Sequence, residues 1–144
     1  MMRVSELLKA KGSSVVTIKA EALVGELVGD LTRRNIGALV VSNDGSTVEG
    51  IVSERDVVRA LNQFGGAILD RPVGALCSTD VQTCSPDDAV DSLMATMTNH
   101  HIRHIPVVEN GTLVGIVSIG DVVKTRLEEL EKDRAELVNY IEAR

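Results

Sequence analysis

One stretch of this chain occurs twice, and that repetition limits its fold more than any local propensity does. Gly50-Ile51-Val52-Ser53-Glu54-Arg55-Asp56-Val57-Val58 and Gly115-Ile116-Val117-Ser118-Ile119-Gly120-Asp121-Val122-Val123 agree at seven of nine positions. The polar Ser and Asp keep their places, so aliphatic composition does not explain the match. Upstream, a shift of 66 residues carries Val15-x-Thr17 onto Val81-x-Thr83, Val24 onto Val90, Leu27 onto Leu93 and Val41 onto Val107. A tandem repeat must build one supersecondary unit twice, and neighbouring copies bury what a single copy cannot.

Each copy reads as β-α-β-β-α. Short extended segments, Val15–Ile18 and Val81–Cys84, come first. Acid-rich helix starts follow, Glu21 in one copy and Ser85-Pro86-Asp87-Asp88 in the other, with Ser85 as N-cap and Pro86 at the first helical position. Apolar residues at helical spacing (Val24, Leu27, Val28, Leu31; Val90, Leu93, Met94, Met97) carry the helices to about Arg34 and His100. Strands are expected at 38–41 and 105–108, then polar turns at 43–45 and 109–111, then second strands at 48–52 and 113–117. A closing helix begins at Ser53 or Ser118. The expected class is therefore α/β (α+β). Its domains are a first repeat over residues 1–64, a linker at 65–79, a second repeat over 80–126 and a C-terminal helical extension at 127–144. One unit of about 60 residues buries too little surface to stand comfortably alone. Two such units packed sheet to sheet as a pseudo-twofold pair are expected to share one core.

Ser53-x-x-Asp56 and Ser118-x-x-Asp121 stand where a strand hands over to a helix. Two readings fit this spacing. The serine hydroxyl there accepts a backbone N–H, and an acid three residues on suits the helix dipole. The same helix end also offers unpaired N–H groups to a phosphate. A carboxylate at a strand end can hold a vicinal diol, as in dinucleotide folds. Capping and binding are compatible, and the spacing leaves both open.

Composition removes other classes. With one Phe, one Tyr, no Trp and 21 valines, the core is β-branched and lacks the rings on which single strands of nucleic acid stack. A net charge of −6 disfavours duplex binding through phosphates. No apolar run approaches a membrane span, and the N-terminus has no secretory h-region. Cys77 and Cys84 form no CxxC pair and read as reduced thiols, so a cytoplasmic protein is expected.

The span from about Val4 to Val123 resembles a pair of CBS domains, the tandem modules named after cystathionine β-synthase. The resemblance rests on Ile36-Gly37-Ala38-Leu39-Val40-Val41 and Ile102-Arg103-His104-Ile105-Pro106-Val107, each followed in register by Gly-Ile-Val-Ser-x-x-Asp. The same stretches are similar to stand-alone CBS proteins of bacteria and plant organelles. The resemblance implies an adenosine-containing ligand between the repeats: AMP foremost, with ADP, ATP, NAD(H) or S-adenosylmethionine as alternatives. Asp56 and Asp121 would then hold ribose hydroxyls, with Ser53 and Ser118 beside the sugar-phosphate. Thr17 and Thr83, with Ile36, Gly37 and Ala38, would frame the adenine. Arg103 and His104 stand where related modules place phosphate contacts, and Arg55 adds a cation that the second repeat replaces with Gly120. These three are expected to converge on phosphate, so one good site is favoured over two equivalent ones.

Catalysis has no candidate. The chain lacks a G-x-S-x-G elbow, a Walker phosphate loop and a G-x-G-x-x-G fingerprint. His100, His101 and His104 suggest a metal cluster by spacing, but a helix end and a strand start separate them. No metal and no catalytic cofactor are expected. From Asp121 to Arg144 one long helix is expected, with Val123, Leu127, Leu130, Leu137 and Ile141 at 3–4 spacing broken by Arg134. That stripe suits a seam between two chains, so a homodimer is expected. The functional expectation is a regulatory adenine-nucleotide module, sensing energy or redox state and read by a protein partner the sequence does not name. The alternative is a structural or thiol-redox interaction module with vestigial clefts, using Cys77 or Cys84.

Overall fold

In each repeat a β-hairpin delivers its second strand directly into a helix. The computed structural model describes residues 2–12 and 14–143. The chain begins with helix α1 (Val4–Lys11) and continues through β1 (Thr17–Ile18), α2 (Val24–Arg34), β2 (Ala38–Val41), β3 (Gly50–Ser53) and α3 (Glu54–Phe64). Two 3-10 turns, Gly65–Asp70 and Val73–Ala75, lead to α4 (Val90–His100), β4 (His104–Glu109), β5 (Thr112–Ser118) and α5 (Ile119–Glu142). β1 runs parallel to β2, and β2 pairs antiparallel with β3, Leu39 opposite Val52. β4 and β5 pair antiparallel, with Ile105 opposite Val117. Among the described residues no helix is long and apolar enough to cross a membrane.

The second repeat lacks a full first strand, contrary to the expectation at 81–84. Only Cys84 pairs there, with Val107, in the same parallel sense. Its two rungs match those of Ile18: Cys84 N–H donates to the Pro106 carbonyl at 3.0 Å, and Val108 N–H donates to Cys84 at 2.8 Å. Pro106 stands where the first repeat has Val40. A proline has no N–H to make the next rung, so the strand stops at one residue.

Two further expectations are corrected. Ser85 does not cap α4. Its N–H donates to Asp88 Oδ2 at 2.8 Å and closes a turn, and α4 begins later, after Ala89, with no side-chain cap. α2 likewise begins after Leu23, uncapped by a side chain. Their first N–H groups are met by backbone from elsewhere: Val24 donates to the Arg71 carbonyl and Val90 to that of Met2.

Nor do the repeats share one core. The buried apolar residues form two clusters. Leu27, Leu39, Val52 and Val57 of the first repeat enclose Val73 from the linker. Leu93, Ile105, Val117 and Val122 of the second enclose Val4, Leu7 and Leu8 from α1. The segment preceding each repeat thus completes the core of the other. The bonding is symmetric as well, Val73 and Gly74 donating to Ala22 and Ala20 as Val4 and Ser5 donate to Asp88 and Pro86. Ala38, Val40 and Pro106 are buried outside both clusters. The repeats are joined by the bond from Leu113 N–H to the Ser46 carbonyl, 2.7 Å.

Candidate functional site

The two Ser-x-x-Asp turns are reciprocal capping boxes. Asp56 N–H donates to Ser53 Oγ at 3.4 Å, while Asp56 Oδ2 accepts the Ser53 N–H at 2.8 Å. The Ser53 hydroxyl also lies 3.1 Å from that oxygen. In the second repeat Asp121 N–H donates to Ser118 Oγ at 3.2 Å, and Asp121 Oδ2 accepts the Ser118 N–H at 2.9 Å. Each box satisfies two orphan groups at the helix start and fixes the carboxylate at the strand end. In both, Oδ1 accepts no hydrogen bond among the described residues.

A cleft of about 340 Å³ opens beside the first box, between the repeats. The first repeat supplies Gly37, Ala38, Ile51, Ser53, Arg55 and Asp56, and the second supplies Ile102, Arg103 and His104. Seven expected ligand residues therefore meet there: Gly37, Ala38, Ser53, Arg55, Asp56, Arg103 and His104. Thr17, Ile36, Thr83, Ser118 and Asp121 do not line it. Thr17 is held in the β1–β2 pairing and Thr83 precedes the Cys84 bridge.

Sequence reasoning missed Ser78, Asp80, Val81 and Gln82, which form one wall. They span the end of the linker and the entry to the second repeat, where the Ser78 bridge to Ile51 draws the chain along the first repeat. The exchanged segments explain this, and no local signal marks it.

Backbone conformation sets the approach of the basic groups. His101 ends α4 in the left-handed region, φ 54°, as Asn35 ends α2 at φ 52°. The His101 carbonyl accepts from Arg55 Nη1 at 3.4 Å, tying an α3 side chain to the second repeat. Gly37 has a steric reason: a Cβ there would lie 3.2 Å from Glu54 Oε1 and 3.3 Å from His104 Cε1. Burial lowers the pKa of His104 below 6.5, against the pull of Asp121 and Glu54, so the imidazole is mostly neutral at pH 7. Asp121 is held below the ordinary carboxylate range. Burial works against this, but Lys11 and the Ser118 N–H outweigh it. The arrangement pairs an acid able to accept hydroxyls with donors able to meet an anion.

A larger hollow, about 650 Å³, lies between α3 and the linker turns, lined by Arg59, Phe64, Ile68 and Arg71. Of the expected ligand residues it reaches only Asp56. No cluster of His, Cys, Asp and Glu fit to hold a metal occurs among the described residues.

The family model for the CBS domain matches this chain twice, over residues 4–63 and 73–128. A curated relative, the mitochondrial CBS domain-containing protein CBSX3 of Arabidopsis thaliana, is 33% identical over 96% of this chain and 71% of its own. Among solved structures, a CBS-domain containing protein of Agrobacterium tumefaciens is similar with TM-score 0.84 and 44% identity, covering 87% of this chain and 99% of that one. A CBS domain protein of Pyrobaculum aerophilum, solved in complex with AMP, is similar with TM-score 0.74 and 32% identity, covering 83% and 89%.

Proposed function

The chain belongs to the CBS domain family, carrying the domain twice, and on that premise we propose that it is a regulatory module that binds an adenosine-containing ligand in the inter-repeat cleft. The observation that carries this reading is the grouping of Asp56 with Arg55, Arg103 and His104 around one cleft of about 340 Å³. Asp56 would hold the ribose diol and the basic groups the phosphate, while Ile51, Val81 and Ile102 offer aliphatic walls to the adenine. The AMP bound to the Pyrobaculum relative supports AMP as the first ligand to test. The module would act by occupancy, sensing energy or redox state for a protein partner and carrying out no reaction itself. It would work as a homodimer joined through the exposed stripe of α5.

The thiol-redox alternative has less support. Burial, with Asp88 nearby, pushes the Cys84 thiol up to about 12, and burial raises Cys77 as well. Thiolates, the reactive form, are disfavoured at both positions.

A thermal-shift panel of AMP, ADP, ATP, NAD(H) and S-adenosylmethionine tests the proposal. Ligand at a hundredfold excess over Kd stabilises by about 2.7 kcal/mol. That corresponds to a rise in Tm of about 6–12 °C for a chain of this length. Asp56→Ala should lower the affinity about tenfold to a hundredfold, the loss of a charged hydrogen-bond partner. A panel with no shift above 1 °C would remove the nucleotide reading.

A further inference from the structure

The two Asp turns agree in sequence and capping, yet only the second carboxylate is ion-paired. Lys11, the last residue of α1, holds its ammonium 2.5 Å from Asp121 Oδ2 and donates to the Ile116 carbonyl at 2.8 Å. The Gly-Ile-Val-Ser match makes Ile51 the counterpart of Ile116. There the carbonyl accepts the backbone N–H of Ser78 at 2.9 Å, and Ile51 N–H donates back to Ser78 at 3.0 Å. The difference follows from local structure. After Ala75 the linker leaves its 3-10 turn, and Ser78 meets β3 as a bridge. Ahead of the first repeat the chain stays helical through Lys11, so a side chain meets the strand edge instead. Among the described residues no Lys or Arg lies within ion-pair distance of Asp56.

We infer that Lys11 selects which Asp turn takes the ligand, latching Asp121 so that each chain binds one adenosine-type ligand, at Asp56. This inference rests on the function proposed above. A ribose diol binds a carboxylate by donating to both its oxygens. At Asp121 Oδ2 it meets the charge-assisted bond of the Lys11 ammonium, whereas at Asp56 Oδ2 the extra donor is the neutral Ser53 hydroxyl, which can turn away. Its second anchor on Ile116 holds it in place without the ligand. The side chains of the pair are only 32% and 23% exposed, so solvent screens the contact less than at an open surface. Displacing such a bond lowers affinity about tenfold to a hundredfold relative to a free carboxylate. The first repeat offers the same box without the cation.

Isothermal titration of the full chain with AMP tests the latch by stoichiometry. The wild-type chain is expected to bind one AMP. Asp56→Ala should weaken that event about tenfold to a hundredfold, and Asp121→Ala should leave the stoichiometry at one. Lys11→Met is expected to bind two, and Asp121→Ala in the same chain should return it to one. Lys11→Gln should behave as Lys11→Met does, so the result does not depend on the folding of a single variant. Lys11→Arg, which keeps the charge, should stay at one. Two AMP molecules on the wild-type chain would overturn the latch, as would one on folded Lys11→Met and Lys11→Gln chains. A wild-type chain that binds no adenosine ligand overturns the proposed function instead.

Discussion

His104 lines the cleft, and its burial there ties its protonation to folding. It opens β4 opposite Ser118 and faces Gly37 across the repeats. Burial lowers its pKa, with smaller help from Lys11 and Arg103, while Asp121 and Glu54 pull the other way. Between its lowered folded value and the ordinary 6.5, the unfolded chain binds more protons than the folded one. Stability is therefore full above about pH 6.5, falls as pH drops through that window and levels off below it. Urea midpoints measured from pH 7.5 to 5 should show this slope in the wild-type chain and a shallower one in His104→Gln. Equal slopes would mean that the imidazole is not desolvated. Phosphate bound beside Arg103 would favour the charged imidazole, so AMP should flatten the slope where adenosine does not.

The starts of the closing helices were legible from the sequence and those of the opening helices were not, for a physical reason. Ser53 and Ser118 cap α3 and α5 with their own side chains, so the pattern and the cap are the same residues. Ser118→Ala should destabilise the chain by about 1 kcal/mol in urea titration. α2 and α4 take the partners for their first N–H groups from Arg71 and Met2, far away in sequence. Ser85-Pro86-Asp87-Asp88 has the composition of a helix start but forms a turn whose carbonyls accept the N–H groups of residues 4 and 5. Two glycines mark where the exchanged segments press on the sheets. A Cβ at Gly50 would meet the Ser78 carbonyl at 2.9 Å and Cys77 Sγ at 3.0 Å, and backbone cannot yield there. At Gly115 it would meet the Leu8 methyls at 2.7 and 2.9 Å, the mobile end of a side chain. Gly50→Ala should therefore cost about 1–3 kcal/mol. Gly115→Ala should cost less, and less again beside Leu8→Ala. A Gly50→Ala chain as stable as wild type would contradict the docking of the linker on β3.

At the scale of the whole molecule, the exchange of leading segments makes each repeat depend on the other, so neither 4–63 nor 73–128 includes everything its own core needs. α5 remains partly unpartnered. Its first turns are anchored by buried Val122 and Thr125, but from Leu130 to Ala143 every residue is exposed. Leu127 at 61% and Leu137 at 60% exposed lie on the stripe the sequence indicated. About 13 residues of free helix are marginal alone in water, and each such leucine gains about 1.5–3 kcal/mol from burial. In the proposed homodimer, a second copy would run antiparallel along this stripe. Val123 would then face the partner's Ile141, Leu127 the partner's Leu137, and Leu130 the partner's Arg134. A parallel pair would set Arg134 against its own copy within the seam, a like-charge contact that Glu131 on the same helix only partly offsets. Equilibrium sedimentation should give a dimer, and Leu130→Glu with Leu137→Glu should give a monomer with unchanged AMP stoichiometry. The direction of the seam is open to a crosslinking test. Leu127→Cys combined with Leu137→Cys should yield a disulfide-linked dimer under mild oxidation, while either variant alone should not. A dimer linked through Leu137→Cys alone would mean parallel helices, and a monomer at every concentration would mean that α5 joins no second copy.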